Sequence, residues 1–230
     1  MQGLKHLFGY RVAATDTDIG KVEDFFVAEG AWSVRHLVVR TGGILSGERA
    51  VVPVECVGGP DAERRTLNVL FSKDRLEEFA AASAVRPVSA TMEERASHSF
   101  GPAESRRDRG FVRVNCPSAE DGSDGVVETL RSVREITGYH LETLDGPCGI
   151  CTDLLADVND WSVPYLVINT KEWQPKGHIL VPTPWVRHIS WDEMQIDVEA
   201  RRQKIQKCQR FDPASHDVSR ARMTALHKSA

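Results

Sequence analysis

Apolar positions along the chain come in short runs cut by turn formers. Residues 10–15, 21–28, 32–40, 49–54 and 66–71 are rich in branched and aromatic side chains. Between them stand Asp16-Thr17-Asp18, Glu29-Gly30, Thr41-Gly42-Gly43 and Gly58-Gly59-Pro60-Asp61, all of them turn chemistry. Connections this short leave no room for crossover helices, so the pattern predicts an antiparallel meander closed as a small barrel. A short helix is expected over residues 72–82, opened by Ser72 or Lys73-Asp74, with Leu76 and Phe79 on one face.

The pattern then returns. Sliding the chain by 129 positions lays residues 9–57 on 138–186 without a gap. Identities fall at Gly9/Gly138, Tyr10/Tyr139, Asp16/Asp145, Gly20/Gly149, Asp24/Asp153, Trp32/Trp161, Ser33/Ser162, Val34/Val163, Leu37/Leu166, Val38/Val167, Thr41/Thr170, Pro53/Pro182 and Val57/Val186. Beyond this stretch a two-residue change of offset is expected, setting Leu67 and Val69 opposite Met194 and Ile196. The second copy is punctuated by Asp145-Gly146-Pro147, Val158-Asn159-Asp160 and Gln174-Pro175-Lys176-Gly177, and its helix is expected near residues 199–207. A unit of this length is too long for a solenoid repeat and suits a small compact domain.

The expected architecture is mainly β: two small antiparallel barrels in tandem, each followed by a short helix and an extended tail. The first barrel spans 1–82, a linker or tail 83–130, the second barrel 131–212 and a C-terminal tail 213–230. The linker carries Arg106-Arg107-Asp108-Arg109 and Glu120-Asp121-Gly122-Ser123-Asp124-Gly125, a composition that buries little apolar area. Pro87-Val88-Ser89 follows the first barrel about where Asp217-Val218-Ser219 follows the second, so the repeat can extend into a tail.

The order Gly138-Tyr139, Asp145-Gly146, Gly149, Asp153, Trp161-Ser162-Val163, Tyr165-Leu166-Val167-Ile168-Asn169-Thr170, Trp173, Val181-Pro182, Trp185 and Ser190-Trp191 resembles the PRC-barrel family. Its earlier version does so too, through Gly9-Tyr10, Gly20, Asp24, Trp32-Ser33-Val34 and Thr41-Gly42-Gly43. That family is similar to the cytoplasmic domain of the photosynthetic reaction centre H subunit and to a domain of a ribosome maturation factor. The resemblance implies a small, mostly antiparallel barrel, docking or assembly roles, and no common catalytic centre. It marks Gly9, Tyr10, Asp16, Gly20, Asp24 and Trp32, with Gly138, Tyr139, Asp145, Gly149, Asp153 and Trp161, as fold-determining. The copies differ at Gly42-Gly43-Ile44 against Lys171-Glu172-Trp173, and at Ile19 and Val22 against Cys148 and Cys151.

Composition narrows the function classes. The 230 residues carry 29 basic and 33 acidic side chains, a net charge of −4, which argues against broad phosphate-backbone binding. No apolar stretch is long enough for a membrane span, and the opening Met1-Gln2-Gly3-Leu4-Lys5-His6 lacks the pattern of a secretion signal. Five cysteines, Cys56, Cys116, Cys148, Cys151 and Cys208, argue against a disulfide framework and make a reducing cytoplasm the expected compartment.

Candidate chemistry is sparse. Cys148-Gly149-Ile150-Cys151 has the spacing of a redox pair or half a zinc site. It lies in a strand region rather than at a helix start, and two further ligands would have to come from His140, Asp153 or Cys116, so the packing reading is preferred. Asp16, Asp18, Asp24, Asp145 and Asp153 are expected to bond nearby backbone N–H groups rather than serve as acid–base pairs. No phosphate loop or nucleophile elbow is present. His36, His98, His140, His178, His188, His216 and His227 are dispersed.

Tryptophan is uneven: Trp32 and Trp161 are expected in the cores, whereas Trp173, Trp185 and Trp191 belong to the second copy alone and are candidate interaction residues. The basic run Arg201-Arg202-Gln203-Lys204-Ile205-Gln206-Lys207 is the candidate RNA-facing patch. The expected function is a non-catalytic adaptor or assembly protein, with no cofactor, that binds another protein. Alternatives are a ribonucleoprotein or ribosome assembly factor that binds RNA, a reaction-centre H-subunit-like protein without its membrane anchor, and a cysteine-based redox or zinc switch. A homo-oligomer is compatible with each.

Overall fold

The computed structural model describes residues 1–41, 49–74, 129–170 and 177–213 in full, and the backbone course of Phe111–Arg113. The chain is mainly β, as the alternation predicts, and divides into two compact units. One holds Leu7–Ser132; the other joins Met1–His6 to Val133–Ala230. The first six residues, expected in the first barrel, therefore belong with the second, and the stretch up to Ser132 belongs with the first.

In the Leu7–Ser132 unit the strands are β2 (Arg11–Ala13), β3 (Asp18–Ala28), β4 (Ser33–Thr41), β5 (Arg49–Pro53), β6 (Val57–Asp61), β7 (Thr66–Val69), β8 (Phe111–Arg113) and β9 (Leu130–Ser132). They are ordered β6-β7-β2-β3-β4-β5-β8, with β9 added on β3. The other unit has β1 (Gln2–Gly3), β10 (His140–Thr143), β11 (Gly146–Ala156), β12 (Tyr165–Asn169), β13 (His178–Pro182), β14 (Val186–Ser190), β15 (Gln195–Val198) and β16 (Arg210–Phe211). Their order is β14-β15-β10-β11-β12-β13-β16, with β1 added on β11. The sheets are mainly antiparallel, with one parallel pairing shared by both units and a further one, β5 with β8, in the Leu7–Ser132 unit. β2 runs parallel to β7 and β10 parallel to β15, because the chain turns a corner at Val54–Cys56 or Thr183–Trp185 before returning beside its first strand.

The internal repeat continues through these last strands at an unchanged offset. Val12 faces Leu67 and Leu141 faces Ile196, and Arg65 and Met194, one residue before each strand, share a left-handed backbone at φ +50° and +49°. The expected two-residue shift is overturned: Leu67 is the counterpart of Ile196, not of Met194. Side-chain identity misaligned these segments because both are short and apolar. Backbone conformation aligns them.

The cores are built from equivalent positions. Phe26, Val38 and Val51 cluster with Leu130 against them; Leu155, Tyr165, Val167 and Leu180 cluster with Met1 and Phe211 against them. Trp32 and Trp161 are buried, at 8% and 6% exposure, and both adopt left-handed backbone at φ +47° and +57°. Each closes the turn after the long strand, donating its backbone N–H to Ala28 and Asp157 respectively. Gly149 shows why the framework glycines stand where they do. A Cβ there would lie 2.2 Å from the Asn169 carbonyl oxygen, and Gly20 meets the Arg40 carbonyl oxygen at the same distance.

The span 75–82 of the helix expected after the first barrel lies outside the described residues; the helix expected after the second is a single turn, Arg202–Ile205. The linker over most of 83–130 and the tail beyond residue 213 also lie outside them. Cys56 is buried and disulfide-bonded, whereas Cys148, Cys151 and Cys208 are free. The expectation from an odd cysteine count is corrected at that one position. Among the described residues no helix is long and apolar enough to cross a membrane.

Candidate functional site

In each unit an aspartate on the longest strand accepts a hydrogen bond from a segment far away in the chain. Asp24 on β3 is 8% exposed. It accepts the Phe25 backbone N–H at 2.8 Å on Oδ1 and the Ser132 hydroxyl on Oδ2. Asp153 on β11 accepts the Leu154 N–H at 2.7 Å and the Lys5 N–H at 2.9 Å, both on Oδ1. Each aspartate therefore anchors the segment that leads into the opposite copy in sequence. Ser132 and Gly3 are equivalent by the same offset of 129 positions, and so are the pairings around them. Phe26 and Val27 pair with Ser132 and Arg131; Leu155 and Ala156 pair with Gly3 and Gln2.

The copies diverge beside these aspartates. In the Leu7–Ser132 unit, Glu23 is 6% exposed and takes Arg40 at 3.0 Å and Arg49 at 2.8 Å. Burial by itself would push its carboxyl up. The hydrogen bonds and charges of the two guanidinium groups outweigh that and hold it at about 2. The equivalents of Glu23, Arg40 and Arg49 are Thr152, Asn169 and His178, which build no such ion cluster. In its place lies a cleft of about 400 Å³ lined by Gly3, His6, Thr152, Asp153, His178 and Phe211, among others. Burial pushes the Asp153 carboxyl up to about 6, against the pull of the Lys5 and Leu154 N–H groups. The dispersed histidines gave no sign of this: His6, in the turn after β1, and His178, at the start of β13, line the same cleft.

The other expected site residues fall as follows. Asp16 and Asp145 accept the backbone N–H groups of Lys73 and Arg202 at 2.9 and 2.8 Å. Both partners lie far along the chain, so the expected local turn role becomes a long-range tie between the first hairpin and the helical turn. Asp18 pairs with Arg11 on the surface at 3.1 Å. Cys148 and Cys151 are fully buried. Burial pushes the Cys148 thiol up to about 12 and that of Cys151 higher still, which leaves neither as a thiolate at neutral pH. No group of three or more His, Cys, Asp or Glu side chains able to hold a metal occurs among the described residues. Trp173, Ile44 and Cys116 lie outside those residues. Trp185 and Trp191 are half-buried, and the Lys204 ammonium sits 4.1 Å from the Trp185 ring centroid. Within the basic run, Arg202 donates to the Pro147 carbonyl at 2.8 Å.

No curated protein matches the chain. The PRC-barrel domain family matches residues 3–76, a span that runs from the lead-in strand β1 through the strand set β2 to β7, and the chain accordingly carries a PRC-barrel domain at residues 3–76.

Proposed function

We propose that the chain is a non-catalytic tandem-barrel protein of the adaptor or assembly kind, whose second unit is also a PRC-type module and carries the binding specificity. One observation supports this reading above the rest. The copies keep the same framework residues in the same backbone roles and diverge beside the shared aspartate, where Glu23, Arg40 and Arg49 fill one unit and a cleft opens in the other. Residues shared by both units serve what the units share, which is the fold; specificity resides where they differ.

The alternatives draw less support. A redox or zinc switch needs an accessible thiolate, whereas Cys148 and Cys151 are buried with raised thiol pKa values. RNA binding draws on several free cations, whereas two of the four in the basic run are engaged within the chain, Lys204 over Trp185 and Arg202 on the Pro147 carbonyl. A cytoplasmic setting agrees with the three free cysteines and is opposed by the bonded Cys56.

The test is crosslinking capture of the tagged full chain in its own cell, with and without RNase. The same capture is repeated with Thr152→Glu/His178→Arg, which rebuilds in the second unit the pair that the first already accommodates. The reading expects a protein partner that survives RNase and falls at least tenfold with the double variant. Loss of the partner on RNase treatment supports the RNA reading instead. Undiminished capture by the variant removes the cleft from the function.

A further inference from the structure

Both units fill the edge beside their longest strand with a segment from across the repeat boundary. On β11, Gln2 and Gly3 pair with Ala156 and Leu155, Leu4 donates to the Leu154 carbonyl at 2.9 Å, and Lys5 donates to Asp153. On β3, Leu130, Arg131 and Ser132 do the same work. The lead-in segments are equivalent residue by residue: Met1 and Leu130 cover the cores, and Leu4 and Val133 are fully buried. Each lead-in strand joins its unit from a distant part of the chain, so the same pairing can form between two chains.

We propose that the β11 edge is a strand-accepting site, and that the lead-in strand of a second copy of this chain can occupy it, giving a strand-exchanged dimer. Three features favour this occupant. The donor is a two-residue strand, so its release breaks few ladder bonds. The site is selective for a small residue followed by a large apolar one: a Cβ on Gly3 would lie 2.3 Å from Asp153 Oδ2, while Leu4 is wholly buried. The sequence Gly3-Leu4 meets both demands, and every copy of the chain presents it. Exchange of an identical element between protomers forms no new contact and is therefore a low-cost route to a dimer.

The experiment places cysteines on the paired positions of separate full-length chains. Gln2→Cys and Ala156→Cys chains, differently tagged, are mixed at high concentration, equilibrated and mildly oxidised, with wild type as the background for the native thiols. The double variant Gln2→Cys/Ala156→Cys in one chain is oxidised in parallel. The expected result is a covalent heterodimer, linked through positions 2 and 156 by peptide mapping, whose yield rises with concentration. Adding Gly3→Val to the Gln2→Cys chain lowers that yield at least tenfold, and an excess of a peptide of residues 1–8 competes with it. Complete closure within single chains, with no cross-chain product above wild type, overturns the proposal. Failure of the double variant to close overturns it as well, because the pairing itself would then be absent.

Discussion

Ser132 donates its hydroxyl hydrogen to the carboxylate of Asp24, 108 positions earlier in the chain, and its counterpart Gly3 has no side chain with which to reach Asp153. Two equivalent aspartates on equivalent strands thus receive their lead-in strands by different chemistry. A side-chain hydroxyl serves one; the backbone N–H of Lys5 serves the other.

Ser132→Ala removes the hydroxyl donor from a buried carboxylate and is expected to cost about 1–3 kcal/mol. Gly3→Ala places a Cβ against Asp153 and is expected to destabilise the other unit by a similar amount. Urea unfolding followed by tryptophan fluorescence measures both. A Ser132→Ala protein as stable as wild type would show that the hydroxyl contributes nothing.

Trp32→Ala and Trp161→Ala are each expected to cost about 3–5 kcal/mol, since both rings are buried. Their positive φ adds a second signature. Glycine tolerates that backbone where alanine does not, so Trp→Gly is expected to be no worse than Trp→Ala at either position. Thermal and urea melts of the four variants decide this.

Replacing Cys148 with Ile and Cys151 with Val copies the residues at Ile19 and Val22, which are themselves buried. The double variant is expected to fold with a change below about 1.5 kcal/mol, the usual range for apolar exchanges in a core. The thiols of Cys148 and Cys151, located by peptide mapping and distinguished from the half-buried Cys208, are expected to react with a thiol reagent only on unfolding. Fast labelling of either in the folded protein would contradict their burial.

The acid stabilities of Glu23 and Asp153 have opposite sign. Glu23 is held at about 2, below its ordinary value, so its ion cluster stabilises the fold above the ordinary carboxylate range and is lost as pH falls toward 2. Asp153 is pushed up to about 6, so the native state holds a proton that the unfolded chain releases, and stability declines as pH rises from the ordinary carboxylate range through 6. Asp153→Asn is expected to abolish that decline, about 1–2 kcal/mol after allowance for its partial exposure, and Glu23→Gln to flatten the acid limb. Urea midpoints across pH 2–7 test both.

The repeat, the strands β2, β3, β4, β5 and β7 and the framework residues from Gly9 to Trp161 were legible in the sequence. They rest on local chemistry: branched residues favour extended backbone, glycine fits where a carbonyl crowds the chain, and a large ring seeks burial. By contrast, Gly58-Gly59-Pro60-Asp61, expected as a turn, lies in β6 paired with β7, and the short strands β1, β9 and β16 gave no signal of their own. The same local chemistry misplaced the offset at Leu67, since two short apolar strands look alike in any register and only the shared left-handed backbone at Arg65 and Met194 separates them. It was silent on His6 and His178 beside Asp153, because no spacing along a chain shows which strands will become neighbours. Above all, nothing in Met1-Gln2-Gly3-Leu4 or Leu130-Arg131-Ser132-Val133 says which long strand each will join. Both segments satisfy either edge by pattern. The choice was made by tertiary structure alone, where Gly3 fits against Asp153 and Ser132 reaches Asp24, since strand pairing depends on contacts between residues far apart in the chain.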